Sequence, residues 1–472
     1  MKINRNMSAV IANKQLLRTE NRLQASIERL SSGLKLNTAR DNPAGMAISN
    51  KMRAQIDGLD QADNNAQDGI SVVQIADGAT NEITLIIQRM RELAVQAAND
   101  TNTYEERQSI QKEIVQLRNE VDRISSDTEY NTKTLLDGSS DTRVYSQQAT
   151  RINMSDTVPA NNYEVTVTAA ATKAKGQLEI ADTFSADGSI SVNGVNMEVK
   201  AGTTKEDFLH ELDKVATEAG AELIRNDDGS VNIDAILYGT KSYLEIEFTD
   251  TLAADLGTTG YTLDPDTNTY RVQSSGTNAE VTLGEGFSDN AVVSSDGNRV
   301  YIRDHSGFTM DFLLKEDLMD QVDDEGNPIT EAVVDIDVTD IGRLTVQIGA
   351  NQYQEMDIRI PEISSESLYL DTVDVTVYKG AGRAITTLDE ALKKISGARS
   401  SIGAFQNRLE YASKSLQETS ENMTAAFSLI TDADMAEEMT EYAQQNILDQ
   451  AAVSVLTQAN DLPQQVLSLL GR

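Results

Sequence analysis

Several residue types that build common functional sites are absent or scarce in this chain of 472 residues. It has no cysteine, so it can form neither a disulfide nor a thiolate metal site. Its two histidines, His210 and His305, stand far apart and outside any HExxH pattern, so the sequence predicts no histidine-based metal site. Tryptophan is absent and aromatic residues make up 5% of the chain, which leaves little material for large globular cores.

Long apolar runs are also missing. No run reaches 18 apolar residues, so we predict that the chain spans no membrane. The first residues carry neither an apolar h-region nor a cleavage signature, so they do not match a general secretory signal. The formal net charge of −35 argues against nucleic acid as a partner.

The charge is distributed unevenly along the chain. Residues 1–40 hold eight Lys/Arg against two Asp/Glu, whereas residues 431–472 hold one Arg against seven Asp/Glu. Residues 151–342 hold twelve basic and thirty-seven acidic groups, a net charge of −25. We therefore expect the two ends to attract each other and the middle to present a solvated acidic surface.

A sustained heptad pattern occupies residues 388–430. An apolar residue recurs at every seventh position, at Leu388, Ile395, Ile402, Leu409, Leu416, Met423 and Ile430. This seam predicts one helix about 64 Å long that packs in a left-handed supercoil with other long helices.

Two partner helices are predicted at residues 44–99 and 104–128. Their apolar residues keep the alternating four-three spacing, with Asp63 as one polar exception, and the first helix should break near Gly78. The seam residues are Met52, Ile56, Leu59, Ala66, Ile70 and Val73 in the first helix and Ile110, Ile114, Leu117, Val121 and Ile124 in the second. The two ends of the chain therefore fold together, and the segment between them is an insertion.

Each terminus adds an amphipathic arm. The first arm is broken by Gly33 and by 41–43, and the stripe of the second should end at Pro463. The opposite charges predict that the arms pair, with ordinary frayed termini as the alternative. The stripes are Leu16, Leu23, Ile27, Leu30 and Leu34 in the first arm, and Leu448, Ala452, Val455, Ala459 and Leu462 in the second.

Between about 143 and 342 the pattern changes to the two-residue period of β-strands. Alternation at 163–168, 190–193 and 333–338 predicts strands, hairpin signals stand at 193–194 and 228–229, and residues 205–219 predict a short helix. A further pair at 344–348 and 356–360 predicts a hairpin on the rod.

The predicted fold class is mainly α at the paired termini, a long coiled-coil rod with one β-hairpin, plus an α+β, strand-rich insert of one or two subdomains. The predicted domains are terminal arms at 1–40 and 432–472, a rod at 41–142 and 343–431, and the insert at 143–342.

No catalytic constellation emerges. A P-loop and a GxGxxG are both absent, and 264–268 matches only the start of a calcium loop, with Thr269 at the glycine position. Asp320 and Glu331 have the end-to-end spacing of such a loop, but the residues between them do not fit. We interpret both as solvated acidic turns and predict no enzyme activity, no metal and no cofactor.

Beside these patterns, the sequence resembles bacterial flagellin. The motifs that carry the likeness are ERLSSGLKLN at 28–37, DNPAGMAIS at 41–49, NAQDGIS at 65–71, GAFQNRLE at 403–410, ENMTAA at 421–426, DMAEEM at 434–439 and QANDLPQQVLSLL at 458–470. They cover about 1–140 and 344–472, and 188–234 weakly resembles a small repeat domain inside many flagellins.

The resemblance implies an extracellular subunit of the flagellar filament. The arm stripes, with Leu467, Leu469 and Leu470, would assemble an inner tube, the rod helices an outer tube, and the insert would project from the surface. The implied partners are further copies of the chain, filament cap and junction proteins, an export chaperone and the flagellar type III apparatus, which exports the family unfolded.

The resemblance also assigns a role to residues 88–96, whose pattern alone favours a solvated helix face. In flagellins this surface is recognised by Toll-like receptor five, and Arg89, Leu93 and Glu113 match the receptor contacts by position.

Two features depart from the family. Phe427, Leu429 and Thr431 stand where the family usually has a glutamate and two basic residues used in inter-subunit salt bridges. The strand at 344–348 follows the long insert, so the insertion point is earlier than in the commonest arrangement.

Three alternatives to a filament subunit remain at the sequence level. A hook–filament junction protein would share the coiled ends, and the full motif set at both ends favours the filament over it. A metallopeptidase insert lacks its HExxH motif. An adhesin or glycosylated display domain in the insert is compatible with its many Ser and Thr residues.

Overall fold

The computed structural model describes residues 6–470 apart from 100, 156–157, 227–229, 317, 319–330 and 378, and for 463–470 it describes the backbone alone. The described α-helices are α1 (Met7–Ser32), α2 (Pro43–Ala97), α3 (Tyr104–Asp127), α4 (Lys205–Glu218), α5 (Ala253–Leu256), α6 (Gly380–Thr431) and α7 (Met435–Leu470). The chain divides into two compact units, one of residues 1–69, 346–356 and 408–472, and one of residues 70–345 and 357–407.

In the first unit, α1 lies along α7. The side chain of Asn6 caps α1 by accepting a hydrogen bond from the Ala9 amide at 3.1 Å, and Gly33 ends the helix in the left-handed conformation at φ 71°. The chain then joins the junction of α6 and α7, where the Lys35 amide donates to the Thr431 carbonyl at 2.7 Å. The helix α7 continues past Pro463 to Leu470, within the second arm predicted at 432–472.

The helix α2 is continuous, so the expected break near Gly78 is wrong. Its buried positions keep the three-four spacing on both sides of this glycine, at Val73, Ala76, Thr80 and Ile83. A Cβ at Gly78 would meet no atom within 4 Å, so the residue faces open space. The cost of one glycine in a helix, about 1 kcal/mol, is outweighed by packing along such a seam.

The seam of α6 is buried over most of its length. In the second unit Leu388, Ile395 and Ile402 are buried. In the first unit Leu409 packs beside Gly69, and Leu416 packs with Leu59 and Ala62. Met423 and Ile430 are half-buried.

In the second unit, α3 starts at a capping box. The Thr103 hydroxyl accepts from the Glu106 amide at 3.3 Å, and the Glu106 carboxylate accepts from the Thr103 amide at 2.8 Å. Ile110, Ile114 and Val121 are buried on one face of the helix. The segment 359–379 runs beside α3, where Asp122 accepts both the amide and the hydroxyl of Ser365.

The rest of the second unit consists mainly of antiparallel sheets. The strands up to residue 200 are β1 (Glu129–Tyr130), β2 (Lys133–Thr134), β3 (Val144–Tyr145), β4 (Ala149–Met154), β5 (Asn161–Ala169), β6 (Lys173–Glu179), β7 (Gly188–Val192) and β8 (Val195–Val199). The next are β9 (Ala221–Arg225), β10 (Ser230–Tyr238), β11 (Tyr243–Thr249), β12 (Thr262–Asp264), β13 (Thr269–Ser275), β14 (Glu280–Leu283), β15 (Val292–Asp296), β16 (Arg299–Arg303), β17 (Thr309–Leu314) and β18 (Ala332–Val338). The predicted rod hairpin is β19 (Leu344–Gln347) with β20 (Glu355–Ile358).

The insert holds two subdomains, each built on its own core. Subdomain A, residues 144–169 and 280–338, packs the sheet β14-β5-β18-β3 against the sheet β15-β16-β17-β4 around Tyr163, Phe312 and their apolar neighbours. Its two ends meet, because the Arg143 amide donates to the Ile341 carbonyl at 2.9 Å and the Thr339 amide donates to the Arg143 carbonyl at 3.0 Å.

Subdomain B, residues 173–275, combines the sheets β6-β10-β9 and β12-β13-β11-β7-β8 with α4 on one core. At the predicted hairpin of β7 and β8, Asn193 and Gly194 both take positive φ, as a tight two-residue turn requires. The signal at 228–229 lies outside the described residues. The predicted fold class, helical paired termini with a strand-rich α+β insert, is confirmed.

Candidate functional site

The contact between the two terminal helices is made of small and polar residues. On α1 the buried positions are Ala12, Thr19 and Ser26, seven residues apart. On α7 they include Glu438, Gln445 and Ala459, which fall on a seven-residue grid. The Asn6 side chain donates to the Ala459 carbonyl at 2.7 Å, and Arg29 lies 3.5 Å from the Glu438 carboxylate.

The large apolar residues of the predicted arm stripes are less buried than these small and polar ones. Leu16, Leu23, Leu30 and Leu34 are half-buried, whereas Ile27 is exposed. Leu448, Val455 and Leu462 on α7 are each about half exposed, and so are Val10, Ile11 and Leu17 on α1. Their use in arm assembly stays a prediction, and on α1 the half-buried Leu16, Leu23 and Leu30 continue the stripe of the buried small residues.

The side chains of Leu467, Leu469 and Leu470 lie outside the described residues. The residues that sequence reasoning missed, Ala12, Thr19 and Ser26, do carry a signal. They continue the four-three spacing with Leu16, Leu23 and Leu30, but a search for large apolar side chains passes over them.

Arg89 and Glu113 form an exposed ion pair between α2 and α3. The Arg89 Nη2 atom lies 2.9 Å from Glu113 Oε1, Nε lies 3.2 Å from the same oxygen, and Nη1 lies 3.3 Å from Glu92 Oε2. The hydrogen bond to Glu113, followed by the one to Glu92, raises the pKa of the Arg89 guanidinium above its ordinary value. The pair presents a fixed arrangement of both charges to solvent.

Leu93 does not belong to that surface. It is 2% exposed and sits in the helical core with Met90 and Ala94, so the expectation that it shares the exposed face of Arg89 is wrong. A residue four positions away is offset by about 40° on a helix, and here that offset crosses the boundary of the core. The apolar residues exposed near Arg89 on α2 are Leu85 and Val95.

The three departures from the family occupy different environments. The Phe427 ring lies under the Arg53 guanidinium at 5.5 Å, a cation–π contact. Thr431 is buried and its hydroxyl donates to the Phe427 carbonyl at 2.9 Å. Leu429 is 84% exposed. Phe427 and Thr431 are therefore held within the first unit, while Leu429 faces solvent.

The acidic turn at 264–268 closes the hairpin of β12 and β13. Asp264 uses one carboxylate oxygen to accept the Asp266 amide at 3.0 Å, which satisfies it locally. Asp320 lies outside the described residues. Across the part of the chain that the structure describes, no group of three or more His, Cys, Asp or Glu residues is arranged to hold a metal ion.

One described helix, α2, is long and apolar enough to cross a membrane by length and composition alone. This is weak evidence for a membrane role, because Ile83, Ile87 and Met90 on the same helix are fully buried by protein.

Comparison with known proteins agrees with the two helical ends. Residues 3–141 match the bacterial flagellin N-terminal helical region, and residues 385–470 match the bacterial flagellin C-terminal helical region. A flagellin of Clostridium tyrobutyricum is 34% identical over 98% of this chain and 100% of its own length. Flagellin B of Vibrio anguillarum is 32% identical over 99% of both chains.

Among solved structures, FliC from Burkholderia pseudomallei is 18% identical, with 72% of this chain and 99% of that chain covered and a TM-score of 0.24. The family assignment therefore rests on the sequence relatives. Since these relatives extend over nearly the full length, the chain belongs to the bacterial flagellin family and is a structural protein of the extracellular flagellar filament, not an enzyme.

Proposed function

We propose that this subunit polymerises through the apolar faces that its terminal helices leave exposed. The observation that supports this most is the placement of Leu448, Val455 and Leu462, which recur every seventh residue on one side of α7 and remain about half exposed. A regular seam of this kind is the usual signal for a further helix, here from a neighbouring copy.

The energetics favour this arrangement. The fully buried positions of α1 are small or polar and its stripe leucines are half-buried, so the α1–α7 contact leaves apolar surface uncovered. Burying a leucine or valine fully contributes about 1.5–3 kcal/mol, so covering these half-exposed residues adds about 1 kcal/mol each. The arms therefore gain further stabilisation from neighbouring copies.

The seam is tested by replacing Leu448 and Val455 together with glutamine. We expect the double variant to fold with unchanged helical content and to form few or no filaments by electron microscopy and sedimentation. The matched control is Gln444→Ala, an exposed polar position on the same helix. Normal filament yield from the folded double variant would contradict the proposal.

We also propose that the surface around Arg89 and Glu113 is recognised by Toll-like receptor five. The support is the resemblance of residues 88–96 to the flagellin receptor segment, together with the exposed Arg89–Glu113 pair. Arginine paired at a small interface is a frequent binding hot spot. The buried Leu93 would support this surface indirectly, by packing α2 against its neighbours.

The test therefore leaves Leu93 intact. Arg89→Ala should lower receptor affinity by about 2 kcal/mol, a loss typical of a hot-spot arginine. Arg123→Ala is the matched control, because Arg123 is an exposed arginine on α3 that also pairs with two carboxylates, Glu120 and Asp127. Equal affinity for the receptor in the two variants would remove the recognition proposal.

Export by the flagellar type III apparatus, with an export chaperone, is a further proposal that rests on family membership. The lack of cysteine is compatible with it, since no disulfide has to open before passage of an unfolded chain. Retention of the chain inside cells that lack the flagellar export apparatus is the expected result, and continued secretion from them would contradict it.

Electron microscopy of purified protein separates a filament subunit from a junction protein, and host-cell binding by the isolated insert would test the adhesin alternative.

A further inference from the structure

A cluster of three cations surrounds Tyr369 within the second unit. The Arg299 guanidinium carbon lies 4.0 Å from the centre of the Tyr369 ring, Lys394 Nζ lies at 5.0 Å, and the Arg151 guanidinium carbon lies at 5.3 Å. Tyr369 itself is 7% exposed. Cations over an aromatic face are attracted by its quadrupole, and the attraction grows as water is excluded.

These residues come from two parts of the fold. Arg151 and Arg299 belong to β4 and β16 of subdomain A, whereas Tyr369 lies in the segment 359–379 and Lys394 on α6. The cluster therefore joins the insert to the rod helix.

Carboxylates complete the junction from both sides. Asp311 on β17 lies 3.0 Å from Arg299 Nη2 and 3.2 Å from Lys394 Nζ. Glu390 on α6 lies 3.0 Å from Arg299 Nη1. Burial lowers the pKa of the Lys394 ammonium from its ordinary value, and the Asp311 charge opposes that change. Buried charges stabilise a contact only when each keeps its oppositely charged partners. The side chains of the junction are therefore restricted to one arrangement.

The backbone is strained on both sides of the contact. Arg151 has φ 54° and Tyr369 has φ 59°, a left-handed conformation that bulky residues rarely adopt. The pairing of β17 with β4 shifts register between Asp311 and Leu313, opposite Arg151. A bulge re-aims a side chain, and here the Arg151 guanidinium meets Asp371 at 3.0 and 2.6 Å. Strain of this kind persists where surrounding contacts hold it in place.

We propose that Tyr369, Arg151, Arg299, Lys394, Asp311 and Asp371 form a latch, here called the Tyr369 latch, that holds subdomain A in one orientation on α6. The insert is also tied by its two entry strands, which pair through Arg143 and Ile341, and by the Arg359 guanidinium, which donates to the Ser155 carbonyl at 3.3 Å. The latch makes the insert move with the rod helix rather than swing on its base.

The hydroxyl of Tyr369 makes a matched control variant possible. This buried oxygen has no hydrogen-bond partner among the described residues, so the ring face carries the contact. Tyr369→Phe should therefore keep the latch closed, and Tyr369→Ala should open it.

The absence of native cysteine permits a direct distance measurement in the full-length monomer. Spin labels on Val292→Cys and Ser400→Cys, exposed positions on β15 and α6, report the separation of insert and rod helix. We expect one narrow distance for the parent and for Tyr369→Phe, and an added broad, longer population for Tyr369→Ala. Tyr411→Ala, an exposed tyrosine on the same helix, should keep the narrow distance.

A single narrow distance in folded Tyr369→Ala would overturn the latch, and so would equal broadening in Tyr369→Phe. If Tyr369→Ala loses helical content, the same distance is measured in Arg151→Gly instead. That change relieves the left-handed backbone and removes the bonds to Asp371, so the strand stays folded while the latch loses a cation. An unchanged distance in folded Arg151→Gly would then reject the proposal.

Discussion

Ser413 and Asp63 are polar residues that meet inside the contact of α6 and α2. The Ser413 hydroxyl donates to Asp63 Oδ1 at 2.5 Å, and the Gln417 amide donates to Asp63 Oδ2 at 3.0 Å. The polar exception in the α2 seam is therefore satisfied by a buried serine, 9% exposed, that the heptad pattern places off the α6 seam. Polar groups persist in such contacts when their hydrogen bonds are made.

Replacing Leu409 by Ala should destabilise the monomer by about 2–5 kcal/mol, because the side chain is fully buried beside Gly69. Denaturant unfolding measures the loss. The control is Lys414→Ala, an exposed position on the same helix that should change stability little. Similar losses in both variants would mean that the seam is not the stabilising contact.

Ser413→Ala should cost about 1–3 kcal/mol, because it leaves the Asp63 carboxylate without one of its donors. The heptad pattern alone would not lead us to expect this loss, because it places Ser413 off the seam. Replacing both partners, with Asp63→Ala and Ser413→Ala, should recover part of the loss in the same unfolding assay. A double variant whose loss equals the sum of the singles would contradict the pairing.

At the scale of elements, periodicity predicted the long helices because a seam of apolar residues is a property of sequence alone. The 388–430 pattern lies inside α6, and 205–219 lies almost wholly in α4. Which face of a helix meets which neighbour is a property of packing. On α1 the fully buried positions are Ala12, Thr19 and Ser26, whereas the larger residues of the sequence stripe are half-buried or exposed, which the pattern alone does not reveal.

The insert should be dispensable for filament formation. Arg343 donates to the Thr142 hydroxyl at 3.4 Å, so a short Gly/Ser linker can join 142 to 343 without moving the rod strands. Filaments of the deletion variant, seen by electron microscopy, are the expected outcome. A folded, soluble deletion variant that never polymerises would show that the insert contributes to the lattice.

The deletion needs one companion change. Removing subdomain A takes Arg299 from the Tyr369 ring, which is uncovered, and takes the Asp311 carboxylate from Lys394. The deletion with Tyr369→Ser should therefore be more soluble than the deletion alone, because it removes a large apolar side chain from a new surface. Sedimentation measures how much of each variant stays soluble.

For the whole molecule, the terminal helices should be the least stable part of the monomer. The fully buried positions of their contact are mostly small or polar, and many of their large apolar residues are exposed. Ordering such helices costs conformational entropy, and this contact offsets only part of that cost. Limited proteolysis should remove roughly residues 1–40 and the last forty from monomer, whereas filaments should protect both. Equal protection in the two forms would contradict this.

The composition of the whole chain excluded several kinds of site before any fold was known, and the resemblance of the motifs at both ends indicated its class. The lack of cysteine and the basic and acidic ends agree with a filament protein whose ends pair. The division of the insert into two subdomains was left open, because strand alternation shows which face is buried but not which strands share a core. Residues on strands far apart in sequence, such as Tyr163 and Phe312, form one core only through tertiary pairing.

Polymerisation through the α7 seam is tested most directly by electron microscopy of filaments grown from purified chain, at a resolution that shows side chains. We expect long helical filaments in which Leu448, Val455 and Leu462 are buried against helices of neighbouring copies. Filaments in which this seam stays open to solvent, or a folded chain that forms no filaments, would contradict it.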